Sequence, residues 1–195
     1  MLDKLKDAEA RYLAMEQELA LTPIAAHSLY TGMVTDSGRF RYDGTSARTH
    51  RLASRLREAD FDPSEIYRDL YADDYENKKR KAQFMLKVQF TPNRVAYIYP
   101  TKEEVQELGL SVFSASRGMV NLMADIRGTD IWVNFTEDEE GILCELRSGG
   151  TNINPIAVKY GGGGHAKASG TTVPDYETAM AMLKDLDDMA KGEEK

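Results

Sequence analysis

The run Gly161-Gly162-Gly163-Gly164-His165-Ala166-Lys167-Ala168-Ser169-Gly170 constrains this chain more than any other segment. Glycine loses more backbone freedom on folding than any other residue, so four in succession demand a specific local reason. One such reason is close approach of bare backbone to a ligand, since successive amide N–H groups without Cβ atoms can curl around an anion. His165 adds a side-chain donor directly afterwards, and a positive charge when protonated. Lys167 and Ser169 offer further contacts. The plain alternative is a flexible loop with an incidental histidine. Local order argues against it: residues 155–160 read as helix, the glycines and His165 follow, and residues 171–173 read as strand.

Composition narrows the ligand. The net charge is -7, and the sequence pI is near 5.1. Such a chain lacks the broad basic surface that holds long nucleic acid by counterion release, but a few aimed donors suffice for a small phosphate. At 42% hydrophobic and 29% charged residues, a packed core is expected. No apolar run approaches a membrane span, and the charged start predicts no signal peptide and no membrane partner. The single cysteine, Cys144, cannot form an internal disulfide, which points to the reducing cytosol.

Along the chain, residues 1–20 read as a helix with a heptad-like stripe of Met1, Leu5, Ala8, Tyr12, Met15 and Leu19. That stripe suits packing on its own protein or a small homodimer seam. Thr22-Pro23 starts a short helix to about Met33, with an extended piece opening at Phe40. Helices are expected over 47–59 and from Asp62 through Leu70. The polar stretch around residues 76–82 reads as a linker between two lobes. Beyond it the periodicity predicts strands over 83–90 and 94–99, a helix capped by Thr101 and Glu104, and a helix over 114–125. Strands over 131–135 and 142–147 and a final helix over 175–190 complete the pattern. The architecture expected is α/β: mostly helical to about residue 75, then a mixed sheet with helices packed on it.

Three further candidates carry chemistry. Arg147 lies on the strand face opposite Ile142, Cys144 and Leu146, where a guanidinium can fork onto a phosphate. Arg117 and Asn121 stand four apart, on one face of the expected helix. Asp36 sits in a turn among small residues, and a carboxylate there suits a hard divalent metal. One carboxylate is not a metal site, and a turn aspartate bonding its own backbone is the plainer reading.

Taken together, the segment Leu29-Tyr30-Thr31-Gly32-Met33-Val34-Thr35-Asp36-Ser37-Gly38-Arg39-Phe40 and the glycine–histidine run resemble the DHH phosphoesterases with a DHH-associated C-terminal domain. The branch most resembled is the bacterial bifunctional oligoribonuclease and PAP phosphatases, over about residues 21–189. A related glycine–histidine loop ends alanyl-tRNA synthetases, but the Asp36 segment favours the phosphoesterases. The resemblance implies that Asp36 is the last of several ligands to a manganese pair. It implies that Gly161, Gly162, Gly163, Gly164 and His165 receive the substrate's nucleotide or phosphate. Arg147, with Ser148 after it, matches an arginine that grips substrate, and Arg117 and Asn121 fall in a helix lining the same cleft between lobes.

The departure is large. The family's earlier aspartates and its Asp-His-His triplet are absent, and His27 and His50 belong to no such motif. Residues 1–20 are then a helix of unclear origin, 21–75 the end of a metal lobe, and 83–195 the DHH-associated domain. The expectation is a truncated or rearranged phosphohydrolase of short oligoribonucleotides, dinucleotides or 3'-phosphoadenosine 5'-phosphate. Alone it is expected to show weak or no hydrolysis, unless another chain complements it. The competing expectation is a module that binds nucleotides or single-stranded nucleic acid without cutting them.

Overall fold

The computed structural model describes residues 21–192, so the expected helix over 1–20 lies outside the described residues. The chain divides into two compact units, one ending at Asp73 and the other beginning at Asp74.

In the first unit, the described residues form helices α1 (Pro23–Asp36), α2 (Ala47–Leu56) and α3 (Pro63–Tyr71). Each begins on a side-chain cap: Thr22 accepts from the Ala25 amide, Ser46 from Thr49 and Asp62 from Ser64. Ala26, Tyr30, Val34, Leu52, Ala53, Leu56 and Ile66 bury against one another to make its core. His27 packs edge-on to Phe61 and His50 stacks on Phe40. Helix α1 runs to Asp36, beyond the expected end. No extended piece opens at Phe40: Arg39 and Phe40 instead turn left-handed, with φ of 64° and 63°. The Ser37 hydroxyl holds this turn by accepting from the Phe40 amide while donating to the Met33 carbonyl.

The second unit opens with helix α4 (Tyr75–Met85), capped by Asp74. Residues 76–82, expected as a linker, are therefore helical. Their polarity reflects an exposed helix face, with Phe84 supplying the buried anchor. The strand expected over 83–90 shrinks to β1 (Gln89–Phe90), and the next is β2 (Ala96–Ile98). Helix α5 (Lys102–Glu107) has the expected reciprocal capping box of Thr101 and Glu104, and Gly109, at φ 62°, turns the chain away. Strands β3 (Ile131–Asp138) and β4 (Gly141–Ser148) form a long hairpin. Helix α6 (Asn154–Lys159), strands β5 (Gly163–His165) and β6 (Ala168–Val173), and helix α7 (Tyr176–Lys191) complete the unit.

The six-stranded sheet runs β1-β2-β3-β4-β6-β5, with β2 and β3 parallel and every other pair antiparallel. The two-residue period of the strands divides its side chains between two layers. Ile131, Val133, Phe135, Ile142, Cys144 and Leu146 pack under α6 and α7. Ala96, Ile98 and Trp132 pack on the other face with Phe84, Val105, Met119 and Met123. This is the mixed-sheet α/β architecture expected.

Residues 114–125 do not form the expected α-helix. Ser114–Gly118 is a π-turn and Val120–Met123 a single 3-10 turn. The cause lies in the sheet below. Asn134 is fully buried on β3, and its Nδ2 donates to the carbonyls of Ala115 (2.7 Å) and Ser116 (3.0 Å). Those bonds draw the two carbonyls out of the i to i+4 ladder, and the turn widens. Thr136 completes the amide by donating to its Oδ1 at 3.1 Å.

Two outcomes follow. Asn134→Ala removes the donor to two carbonyls and should cost about 2–4 kcal/mol in urea unfolding; a loss below about 0.5 kcal/mol would contradict this account. Lys87, by hydrogen-bonding Glu104, holds that carboxyl below its usual range, against the opposing pull of burial. A folded-state value below the unfolded one stabilises the fold above the unfolded value and is lost as pH falls through the folded one. Lys87→Met should therefore flatten the fall in stability on acidification through the carboxylate range. Parallel curves for the two proteins would contradict it.

Candidate functional site

The glycine run folds as a hairpin partner and not as an open loop. The Gly161 amide donates to the Val158 carbonyl at 3.0 Å and the Gly162 amide to Ala157 at 2.8 Å, both on α6. Gly163, Gly164 and His165 then pair with Gly170, Ser169 and Ala168 on β6. The anion nest expected across all four glycines is thus corrected, because two of its amides are already committed to helix carbonyls.

The glycines have three separate physical reasons. Gly161 adopts φ 83°, which favours glycine. A Cβ at Gly162 would lie 2.2 Å from the Gly170 carbonyl oxygen, and one at Gly164 would lie 2.6 Å from that of Ala168. Gly163, which keeps an ordinary φ, has nothing within 4 Å of where its Cβ would be. It also lines a cleft.

That cleft has a volume of about 420 Å³, and its walls include Arg117, Leu143, Glu145, Arg147, Gly163, Gly164 and Gly170. The β4–β6 pairing, with Arg147 opposite Ala168 and Glu145 opposite Gly170, brings the arginine strand beside the glycine hairpin. Asn154, at the start of α6, fixes the hairpin: its Nδ2 donates to the Gly164 carbonyl (3.1 Å) and to the Ser169 hydroxyl (3.2 Å). Ser169 in turn donates to the His165 carbonyl at 2.8 Å, so its hydroxyl is engaged in the fold.

Glu145 ties the cleft's cations together. Arg117 Nε reaches its Oε1 at 2.7 Å, and Arg147 Nη2 reaches its Oε2 at 3.1 Å. The Glu145 side chain is only 9% exposed, and a carboxylate that deep persists because it is paired on both oxygens. Arg147 is fixed further through Nη1, which donates to the carbonyls of Leu146 (2.8 Å) and Ser169 (3.4 Å). The Arg117 guanidinium is more open, lying 5.8 Å from the Phe113 ring centre. Because Arg117 spends Nε on the carboxylate, its two terminal nitrogens remain as donors.

The other sequence candidates lie elsewhere. His165 is exposed at the end of β5, beside Gly164 but outside the cleft lining. Ser148 is buried, and its hydroxyl donates to the Thr151 carbonyl at 2.5 Å, closing the turn after β4. Asn121 is exposed on the 3-10 turn and is not part of the cleft lining that includes Arg117. Asp36 is exposed at the last turn of α1 in the first unit. Among the described residues no three His, Cys, Asp or Glu side chains are grouped to hold a metal, so the residues present do not fit a manganese pair. Burial pushes the Cys144 thiol up to about 12, so it stays protonated at neutral pH and serves as core. Glu145 and Asn154 are the residues that the sequence reading missed. Glu145 shares Arg147's strand face, which was the available signal. For Asn154 the sequence offers none beyond its place before Pro155.

Residues 113–192, which hold every wall of the cleft, match the DHHA1 domain. The chain is 32% identical over 170 residues to the bifunctional oligoribonuclease and PAP phosphatase of Bacillus subtilis, covering 87% of this chain and 54% of that protein. It is 34% identical over 174 residues to the protein of the same name from Mycoplasma pneumoniae, covering 89% and 53%. An exopolyphosphatase-related protein from Bacteroides fragilis superposes with a TM-score of 0.77 at 27% identity, over 88% of this chain and 52% of that one. The chain therefore spans about half the length of the curated relatives it matches.

Gly162→Ala and Gly163→Ala separate two of the three uses of glycine. The first forces a Cβ into backbone and should lower stability by roughly 1–3 kcal/mol. The second meets open space and should leave the melting temperature near that of the unsubstituted protein. Equal losses in both would contradict the assignment.

Proposed function

We propose, from the DHHA1 match over residues 113–192 and the likeness to the bifunctional oligoribonuclease and PAP phosphatases, that the second unit of this chain grips short nucleotides by their phosphate. The observation that carries this reading is the meeting of Arg117, Arg147 and Gly163 in one cleft. Guanidinium N–H groups donate in a planar fork to phosphate oxygens, and the terminal nitrogens of Arg117 are available for this. Gly163 lets a phosphate approach the backbone without meeting a side chain. As the edge strand, β5 also leaves its outer backbone groups outside the sheet's pairing. His165, exposed at the end of that strand, is placed to meet the part of a ligand that extends past the cleft.

The ligand class proposed is a short oligoribonucleotide, a linear or cyclic dinucleotide, or 3'-phosphoadenosine 5'-phosphate, which suits a restricted cleft on an acidic chain better than a long polyanion. For the whole family-type protein we propose hydrolysis of such substrates with a divalent metal such as manganese. The described residues do not make that metal site, so the role assigned to them is binding and orienting the substrate. The one cysteine, Cys144, is buried and free, which suits the reducing cytosol. Among the described residues no helix is long and apolar enough to cross a membrane.

Titration of the full chain with a two-nucleotide RNA, with and without a metal chelator, tests this reading. Binding should survive chelation and weaken at least about tenfold in Arg147→Ala, the loss of a charged hydrogen-bonding pair. His165→Ala should cost less, because that side chain stands outside the cleft. Binding unchanged in Arg147→Ala would refute the site. Turnover by this chain that Asp36→Ala abolishes would overturn the assignment of binding without cutting.

A further inference from the structure

A cleft built only to hold anions gains from every positive charge, so a buried carboxylate between its two arginines works against the task unless it sets something else. Glu145 is that carboxylate, and both of its oxygens are occupied by guanidinium groups of the lining. Arg117 and Arg147 against Glu145 leave the lining with one net positive charge. An internucleotide phosphodiester carries one negative charge, whereas a terminal phosphate monoester carries close to two at neutral pH. The first is balanced by the cleft and the second is left with an excess.

We propose that Glu145 is a specificity-determining residue that tunes this cleft for the phosphodiester of a dinucleotide over a terminal phosphate monoester. The inference rests on the nucleotide-binding reading above and ranks its ligands, placing dinucleotides ahead of 3'-phosphoadenosine 5'-phosphate, whose phosphates are both monoesters. Glu145 acts in two ways. It fixes the arginines by their Nε and Nη2 edges, which sets how their remaining N–H groups face a ligand. It also subtracts one charge at close range, in a position where solvent screening is weak because the carboxylate is buried. A role in folding alone would leave the balance between ligand charges untouched, since losing it would weaken or spare both kinds of phosphate together.

Two probes read this directly by calorimetric titration of the full chain under chelation. One is adenylyl-(3'→5')-adenosine, with a single phosphodiester and no terminal phosphate. The other is adenosine 5'-monophosphate. Glu145→Gln keeps the side-chain shape and adds one positive charge to the balance. It should shift the affinity ratio toward the monophosphate by about tenfold. Arg117→Gln removes a charge from a side chain that is 63% exposed, so its folding is not at issue. It should shift the ratio the other way by a similar factor. If both probes bind and the ratio is the same in all three proteins, the role given to Glu145 is wrong and the nucleotide site stands. If neither probe binds the unsubstituted chain, the nucleotide reading falls and this inference with it.

Discussion

The geometry of the second unit depends on how closely the glycine segment lies against strand β6. With the Gly162 Cβ position only 2.2 Å from a carbonyl oxygen and the Gly164 position only 2.6 Å from another, any side chain would push the hairpin off the sheet. That approach sets β5 as the sheet's edge and brings Gly163 level with the strand that carries Arg147. A bare stretch of backbone and a guanidinium then share one cleft, although they lie sixteen residues apart in the chain. The entropy that four glycines lose on folding is offset by the hairpin's bonds to α6 at Ala157, Val158 and Asn154.

A second support comes from beneath the opposite wall. Asn134 is polar in the middle of a buried strand, which is unfavourable unless all its hydrogen bonds are made. It makes them with the Ala115 and Ser116 carbonyls and with Thr136. The π-turn that results carries Arg117 into reach of Glu145. Core packing, an irregular helix and a buried charge pair are therefore links in one chain of cause: Asn134 shapes the turn, the turn places Arg117, and Arg117 with Arg147 makes the burial of Glu145 tolerable.

The sequence made much of the scaffold legible. The Thr101–Glu104 capping box, the alternation along β4, the amphipathic α7 and the α/β class all rest on local periodicity or capping chemistry, and all appear. What stayed hidden was tertiary. Residues 76–82 are polar enough for a linker, but the anchor that makes them helical is Phe84, buried by partners distant in sequence. The break of residues 114–125 into π and 3-10 turns is written in Asn134, on another strand. At the site, Arg117, Arg147, Gly163 and Gly164 were legible from residue type and spacing and line one cleft, but a single purpose was expected of four glycines that have three. Ser148 and Asn121 were expected beside them, and the structure has the first closing a turn and the second facing solvent. Glu145 went unnoticed because a lone glutamate on a strand looks like a solvated residue until its two partners are seen.

The central claim is that phosphate enters where Gly163, Arg117 and Arg147 converge. The most direct measurement is a crystal structure of the chain with a bound, uncleaved dinucleotide. The account predicts phosphate oxygens within hydrogen-bonding distance of both guanidiniums, against the open side of Gly163, with Glu145 still between the arginines. A dinucleotide bound on any other surface, with the cleft empty and both arginines turned wholly to Glu145, would contradict it.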